Sequence, residues 1–140
     1  MAFKGSCQCR SIQFEIEAPV KWCAHCHCRK CQRAHGAAFV TWFGVDITQF
    51  ELLRGRDELV WYASSKPARR GFCSKCGSTL FFKSERWEEE IHIVLANMDD
   101  NLDCLPSAHV FYDSHVDWLE SFSLLPKRGG ATGVIPLTED

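Results

Sequence analysis

The chain has no strong charge of either sign. Its 16 Lys+Arg stand against 18 Asp+Glu, a formal net charge of −2 in 140 residues. It therefore carries no broad basic field of the kind that holds nucleic acid by neutralising phosphates, and nucleic acid is not expected as a partner. Long apolar runs are also missing. The uncharged stretch at residues 39–45 is far shorter than the roughly 20 residues a membrane helix needs, so no membrane association is expected. The opening MAFKGSC lacks the apolar core of a secretory signal, which leads to the expectation of a cytoplasmic protein. Solenoid-length repeats and Pro/Gly/Ser linkers are absent too, and the five prolines are scattered. One domain over residues 1–140 is expected, with residues 126–140 a loosely packed tail that Val134, Ile135 and Leu137 can pin down. Nothing in the chain specifies an oligomeric state. With 46% hydrophobic and 24% charged residues, there is enough apolar material for a core, which excludes a disordered or low-complexity chain.

What is present in excess is cysteine, nine residues in all. In a reducing compartment stable disulfides are disfavoured, so clustered cysteines point to metal ligands or reactive thiols.

The segment SIQFEIE alternates apolar Ile12, Phe14 and Ile16 with polar Gln13, Glu15 and Glu17, the period of a half-buried strand. AFVTWFGV, DELVWYAS, STLFFKS, EIHIVLA and AHVFYD are short, rich in β-branched and aromatic residues, and separated by turn-forming residues. No long stripe of helical period occurs. The pattern predicts a mainly β domain of short antiparallel strands with one or two short helices, the first over residues 29–35 ended by Gly36 and the second around residues 116–122.

The cysteines fall into three clusters: Cys7-Gln8-Cys9, Cys26-His27-Cys28-Arg29-Lys30-Cys31 and Cys73-Ser74-Lys75-Cys76-Gly77. The third has the form of a zinc knuckle, in which a tight turn relaxed by glycine lets two sulfurs converge on one ion. A structural tetrahedral zinc needs four ligands, and the Cys7/Cys9 pair can supply the two that Cys73 and Cys76 lack. In the bland alternative, Cys7 and Cys9 are buried small hydrophobes.

The middle cluster offers an odd number of thiols, Cys26, Cys28 and Cys31, which leaves a tetrahedral ion one position short. An incomplete shell is what a reactive zinc site requires, because substrate must take the fourth place. Cys23, His25, His27 or His35 can instead close the shell and make the site structural, or Cys23 and its neighbours can form a redox dithiol. Zinc with three thiolates carries a net negative charge and is a softened Lewis acid, better suited to a sulfur substrate than to activating water.

GSCQCRSIQFEIE, CHCRKCQRAHGAAFVTW, YASSKPARRGFCSKCGSTLFF, LANMDD, LPSAHVFYDS and DWLESFSLLP, in that order, resemble the blocks of the glutathione-dependent formaldehyde-activating family, which includes centromere protein V. The resemblance runs from about Lys4 to Pro126. It implies a β-tent fold, shared with a zinc-binding chaperone of Rab GTPases, and two Zn²⁺ per chain. Carried onto this sequence, it makes Cys7, Cys9, Cys73 and Cys76 the structural ligands and Cys26, Cys28 and Cys31 the active-site ligands. The implied reaction joins the glutathione thiol to formaldehyde as S-(hydroxymethyl)glutathione, a carbon–sulfur lyase reaction in the reverse sense. Arg10 stands where the family pattern usually has glycine, Asn101 replaces a frequent proline, and Cys23 has no place in the pattern.

Arg69 and Arg70 precede the knuckle, while Arg29, Lys30 and Arg33 surround the reactive cysteines, so the two carboxylates of glutathione have cationic candidates, Arg69 and Arg70 first among them. Trp42, Trp61 and Tyr62 are read as packing in the core or at a strand edge rather than lining a pocket, and His92 and His109 as hydrogen-bonded structural histidines. Two rivals to the lyase reading remain: a non-catalytic zinc module that binds a protein partner, and a methionine sulfoxide reductase-like enzyme that would need Cys23 or Cys104 as a free reactive thiol.

Overall fold

A computed structural model describes residues 1–137. Twelve strands and one α-helix follow in chain order: β1 (Ala2–Ser6), β2 (Gln13–Glu17), β3 (Trp22–Cys26), α1 (Arg29–His35), β4 (Val40–Asp46), β5 (Phe50–Arg54), β6 (Leu59–Ser65), β7 (Ala68–Cys73), β8 (Thr79–Ser84), β9 (Glu90–Val94), β10 (His109–Val110), β11 (Arg128–Gly129) and β12 (Ile135–Pro136). The expected mainly β architecture of short strands is present. A three-stranded sheet runs β1-β2-β5, a seven-stranded sheet runs β10-β3-β4-β9-β8-β7-β6, and β11 pairs with β12. Every pairing is antiparallel except that of β10 with β3. No helix among the described residues is long and apolar enough to cross a membrane.

Strand parity sorts the side chains of the large sheet onto two faces. On β4, Phe43 and Val45 enter the main core, which Phe14 and Ile16 of β2 close from the small sheet. Val40 and Trp42 of the same strand pack on the other face, with Cys26, Cys31 and Val94. Strand β9 repeats the division, sending Ile91 and Ile93 to the main core and Val94 to the second cluster.

Helix α1 forms where the spacing predicts it. Cys28 caps its N-terminus, its sulfur accepting from the Cys31 N–H at 3.3 Å, and Gly36 ends it at φ 59°, a left-handed conformation that glycine adopts without penalty. The second expected helix does not form. Residues 116–122 hold turns leading into a 3₁₀ turn at Phe122–Leu124. Trp118 and Phe122 there are 65% and 72% exposed, and a helix this short is marginal without an apolar face to bury. In the tail, Arg128–Gly129 pairs with Ile135–Pro136, and the Leu137 N–H donates to the Lys127 carbonyl at 3.0 Å. The last three residues of the expected tail lie outside the described residues.

Candidate metal centre

Two groups of cysteine sulfurs converge, each with its ligand atoms within 4.8 Å of one another: Cys7, Cys9, Cys73 and Cys76 in one, and Cys26, Cys28 and Cys31 in the other. All nine cysteines are free thiols. Sulfurs about 2.3 Å from a tetrahedral zinc stand about 3.8 Å apart, so the sulfur–sulfur distances test the fit. Cys7 and Cys9 are 3.6 Å apart, Cys9 and Cys73 3.8 Å, and Cys26 and Cys31 3.5 Å. Both groups fit a tetrahedral thiolate-bound ion.

The four-sulfur group ties the first loop to the knuckle after β7. The Ile12 N–H donates to Cys7 Sγ at 3.3 Å, and Gly77 sits at φ 79°, closing the knuckle turn without strain. Burial pushes the Cys7 thiol up to about 11, a cost that a bound cation offsets by holding the thiolate. Arg10, in the loop between Cys9 and β2, adopts φ 66°, a conformation that disfavours residues with a Cβ. Its guanidinium is held 3.3 Å from Asp99 and 3.1 Å from Ser6 Oγ.

The three-sulfur group lies on the other face of the large sheet, where β3 runs into α1. None of the alternative fourth ligands joins the group of three converging sulfurs, although His27 Nδ1 and His35 Nε2 are buried without a hydrogen-bond partner. Cys23 lies three residues before Cys26 on one strand, so it faces the opposite way. It is buried in the main core, with its thiol pushed up to about 12 by burial and by neighbouring Cys104. His25 Nδ1 is 2.8 Å from Thr41 Oγ1, and His27 Nε2 is 2.9 Å from His109 Nδ1. His35 packs its ring against Trp42, centroids 5.4 Å apart.

Hydrogen bonds from the Cys26 and Cys31 thiols hold Cys28 well below the usual thiol range, and the Cys31 N–H and the Arg70 charge act in the same direction. Arg70 of β7, 5% exposed, donates from Nη1 and Nη2 to Cys31 Sγ at 3.6 Å each. Its neighbour Arg69 faces the other side of β7, 5.6 Å above the Trp61 ring. Strand alternation thus separates the two arginine candidates: Arg70 reaches the sulfurs, and Arg69 is not among the residues lining the adjoining cavity.

The three sulfurs open into a cavity of about 920 Å³. Cross-strand partners form one row along its wall: Trp22 opposite Gly44, Gly44 opposite His92, His92 opposite Phe82, and Phe82 opposite Arg70. Three strands separate β3 from β7, yet Arg70 on β7 touches Cys31, whose sulfur lies 3.5 Å from that of Cys26 on β3. The sheet therefore curls around the cavity. A Cβ on Gly44 would lie 2.4 Å from the Trp22 indole nitrogen, so glycine is what lets Trp22 lie flat across β4. Lys30 and Arg86, both exposed, reach the cavity from α1 and from the turn after β8.

Trp61 packs against the main core, and Tyr62, 63% exposed, lies on β6 at the edge of the large sheet. Trp42 is buried and also lines the cavity. His92 is hydrogen-bonded, its Nε2 3.0 Å from Glu90 Oε1, but it too lines the cavity, as do Arg86 and Trp87. The alternation of Ile91 and Ile93 marks His92 as lying on the face away from the main core. Nothing in the sequence shows that a cavity occupies that face.

The profile of the family described as "Glutathione-dependent formaldehyde-activating enzyme" matches residues 2–114. A Halomonas elongata protein named provisionally as such an enzyme is 26% identical over 86% of this chain and 81% of its own length. An uncharacterised lyase of Schizosaccharomyces pombe is 34% identical over 57% of this chain and 56% of its own length. A crystal structure of a Rhodobacter sphaeroides protein shares the fold at a TM-score of 0.58 and 23% identity, over 71% of this chain and 91% of the other. With its two cysteine groups in place and this match over most of its length, the chain belongs to the glutathione-dependent formaldehyde-activating enzyme family.

Proposed function

We propose that the protein is a zinc-dependent carbon–sulfur lyase of the S-(hydroxymethyl)glutathione synthase type, joining the thiol of glutathione to formaldehyde or handling a closely related thiol adduct. The observation that carries this reading is a group of three sulfurs, not four, facing a cavity with a buried guanidinium at its edge. Cys7, Cys9, Cys73 and Cys76 would hold a structural zinc, and Cys26, Cys28 and Cys31 a second. When bound there, that ion supplies an electrophilic centre that favours a substrate thiol in its thiolate form at neutral pH.

The side chains do the rest. Arg70, fixed by its two contacts to Cys31, offsets negative charge in a region shielded from water. Lys30 and Arg86 stand where the two carboxylates of glutathione would meet cations, which fixes the sulfur at the inner end of the cavity. In the reaction a carbon–sulfur bond forms between thiolate and aldehyde carbon, the carbonyl double bond becomes single, and the thiol proton ends on the new hydroxyl. No electrons are exchanged with a third species, so no redox partner is required.

The test is ¹³C exchange spectroscopy of labelled formaldehyde with glutathione, which reads the interconversion rate above the uncatalysed background. Acceleration by the wild-type protein that disappears in Cys31→Ser supports the reading, and an unaltered background rate with zinc-loaded wild type removes it. The zinc-held interaction module, which draws on exposed Trp118, Phe122 and Leu124, predicts that unaltered rate.

A further inference from the structure

The cavity is larger and more aromatic than formaldehyde requires. Pockets for drug-sized ligands run to about 300–1,000 Å³, and this one lies near the top of that range at about 920 Å³. Formaldehyde contributes only two heavy atoms to an adduct, so any use of the ring-lined part of the cavity falls to the thiol or to a bulkier carbonyl partner.

That part is a continuous wall. The Arg70 guanidinium lies 5.2 Å from the Phe82 centroid, and Phe82 stacks on His92 at 5.5 Å and 22°. Trp22 meets His92 edge-on at 4.6 Å, and Trp87 lies 5.4 Å from the same ring. Two of the polar ring atoms, Trp22 Nε1 and His92 Nε2, are already occupied. Trp22 Nε1 donates to Glu90 Oε1 at 3.2 Å, His92 Nε2 lies 3.0 Å from the same oxygen, and Lys21 Nζ is 3.8 Å from Glu90 Oε2. Burial also holds His92 below its usual range, so the imidazole is neutral at neutral pH. The wall is thus a cluster of aromatic side chains packed on one another, with Trp22, Phe82, His92 and Trp87 all bordering the cavity, and the unpartnered Arg70 Nε and Ser64 Oγ lie at other points of the lining. A peptide backbone laid against it would leave amides unpaired, whereas an aryl group would bury area and stack.

We propose that the cavity takes thiol adducts of bulky, aryl-bearing aldehydes, the sulfur at Cys26, Cys28 and Cys31 and the aryl group on the Phe82–His92–Trp22 wall with Trp87 at its rim. This rests on the reading of the site as one that joins a small thiol to a carbonyl. It assigns a substrate class in which R–S–H and Ar–CHO give R–S–CH(OH)–Ar: the carbon–sulfur bond forms, the carbonyl π bond is lost, and the thiol proton moves to the hydroxyl oxygen.

Titration calorimetry of the zinc-loaded protein tests it with four ligands: glutathione, S-methylglutathione, S-benzylglutathione and benzyl mercaptan. S-benzylglutathione is expected to bind at least about tenfold more tightly than S-methylglutathione, the discrimination expected when an apolar group fills an apolar subsite. Trp87→Ala, at a rim position 45% exposed, is expected to bring that ratio down towards unity, and Trp87→Phe to preserve most of it. Equal affinities for the two S-substituted glutathiones overturn the proposal while leaving the thiol–aldehyde reading intact. Binding of benzyl mercaptan without any glutathione derivative supports the aryl subsite and removes glutathione as the thiol. Binding of none of the four overturns both.

Discussion

Arg70 places both terminal nitrogens of its guanidinium 3.6 Å from the sulfur of Cys31, a residue 39 positions earlier in the chain. The planar fork suits this contact, and Phe82 beneath it restricts where the fork can turn. A hydrogen bond to a charged partner contributes about 1.5–3 kcal/mol. Arg70→Gln is therefore expected to slow the thiol–formaldehyde exchange by about 10- to 100-fold. Arg70→Lys should recover only part of it, since an ammonium keeps the charge but loses the two-pronged geometry. Exchange spectroscopy on both variants, with zinc content measured alongside, checks this. A loss of zinc as large as the loss of rate would show that Arg70 acts by retaining the ion.

The two cysteine groups should respond differently to removal of one ligand. Structural zinc contributes about 10–16 kcal/mol in apparent terms, against a net stability of about 5–15 kcal/mol for a typical domain. Cys73, fully buried in the main core, joins β7 to the loop before β2, so Cys73→Ser is expected to abolish cooperative folding. Cys31→Ser is expected to leave a folded protein with one zinc fewer per chain. Elemental analysis and circular dichroism on the two variants distinguish these outcomes.

The backbone at Arg10 sets the local strain of a left-handed residue against an ion pair. A non-glycine residue at φ 66° costs about 1–2 kcal/mol, and the contact to Asp99, with side chains 60% and 36% exposed, returns about 0–1 kcal/mol. Arg10→Gly is expected to stabilise the fold by up to about 1 kcal/mol. Arg10→Ala, which keeps the strain and loses the pair, is expected to destabilise it by a similar amount. Chemical unfolding of the zinc-loaded variants reads the sign directly.

His35 makes stability depend on acidity. Burial pulls its pKa down to about 4 from the ordinary 6.5, so the unfolded chain binds a proton that the folded chain refuses. Its contribution is complete above about 6.5 and is lost as the pH falls towards about 4. Because the ring is part exposed, the loss by pH 5 is expected to be of order 1 kcal/mol. His35→Phe, which keeps the packing on Trp42, should flatten the stability profile between pH 7 and 5 in urea titrations. A profile as steep as wild type would show that the slope arises elsewhere.

Strands with strong periodicity, such as residues 13–17 around Phe14 and Ile16, were legible because alternation is a property of neighbours in the chain. Besides the two short strands of the tail, Arg128–Gly129 and Ile135–Pro136, four strands were not. Ala2–Ser6 and Phe50–Arg54 show no clear alternation, Ala68–Cys73 contains two arginines and a glycine, and Trp22–Cys26 reads as part of a cysteine cluster. The last omission mattered most. Once residues 22–26 are a strand, Cys23 and Cys26 must face opposite ways, and the question of Cys23 as a fourth ligand is answered by parity.

The sequence by itself determined which cysteines form candidate ligand pairs, because the bite of Cys-x-Cys and Cys-x-x-Cys is set by two or three consecutive residues and by the turn glycine Gly77. It left open whether the middle cluster would fall short of four sulfurs, because Cys23 lies three residues ahead of Cys26, and the strand over residues 22–26 decided that. Only the tertiary structure decided which distant residues join them: Cys9 meeting Cys73, Arg70 rather than Arg69 facing Cys31, and Trp22, His92 and Phe82 aligned on one wall. The physical reason is register. Which side chains meet across a sheet depends on strand pairing and curl, and these are set by burial over the whole molecule rather than by any local run of residues.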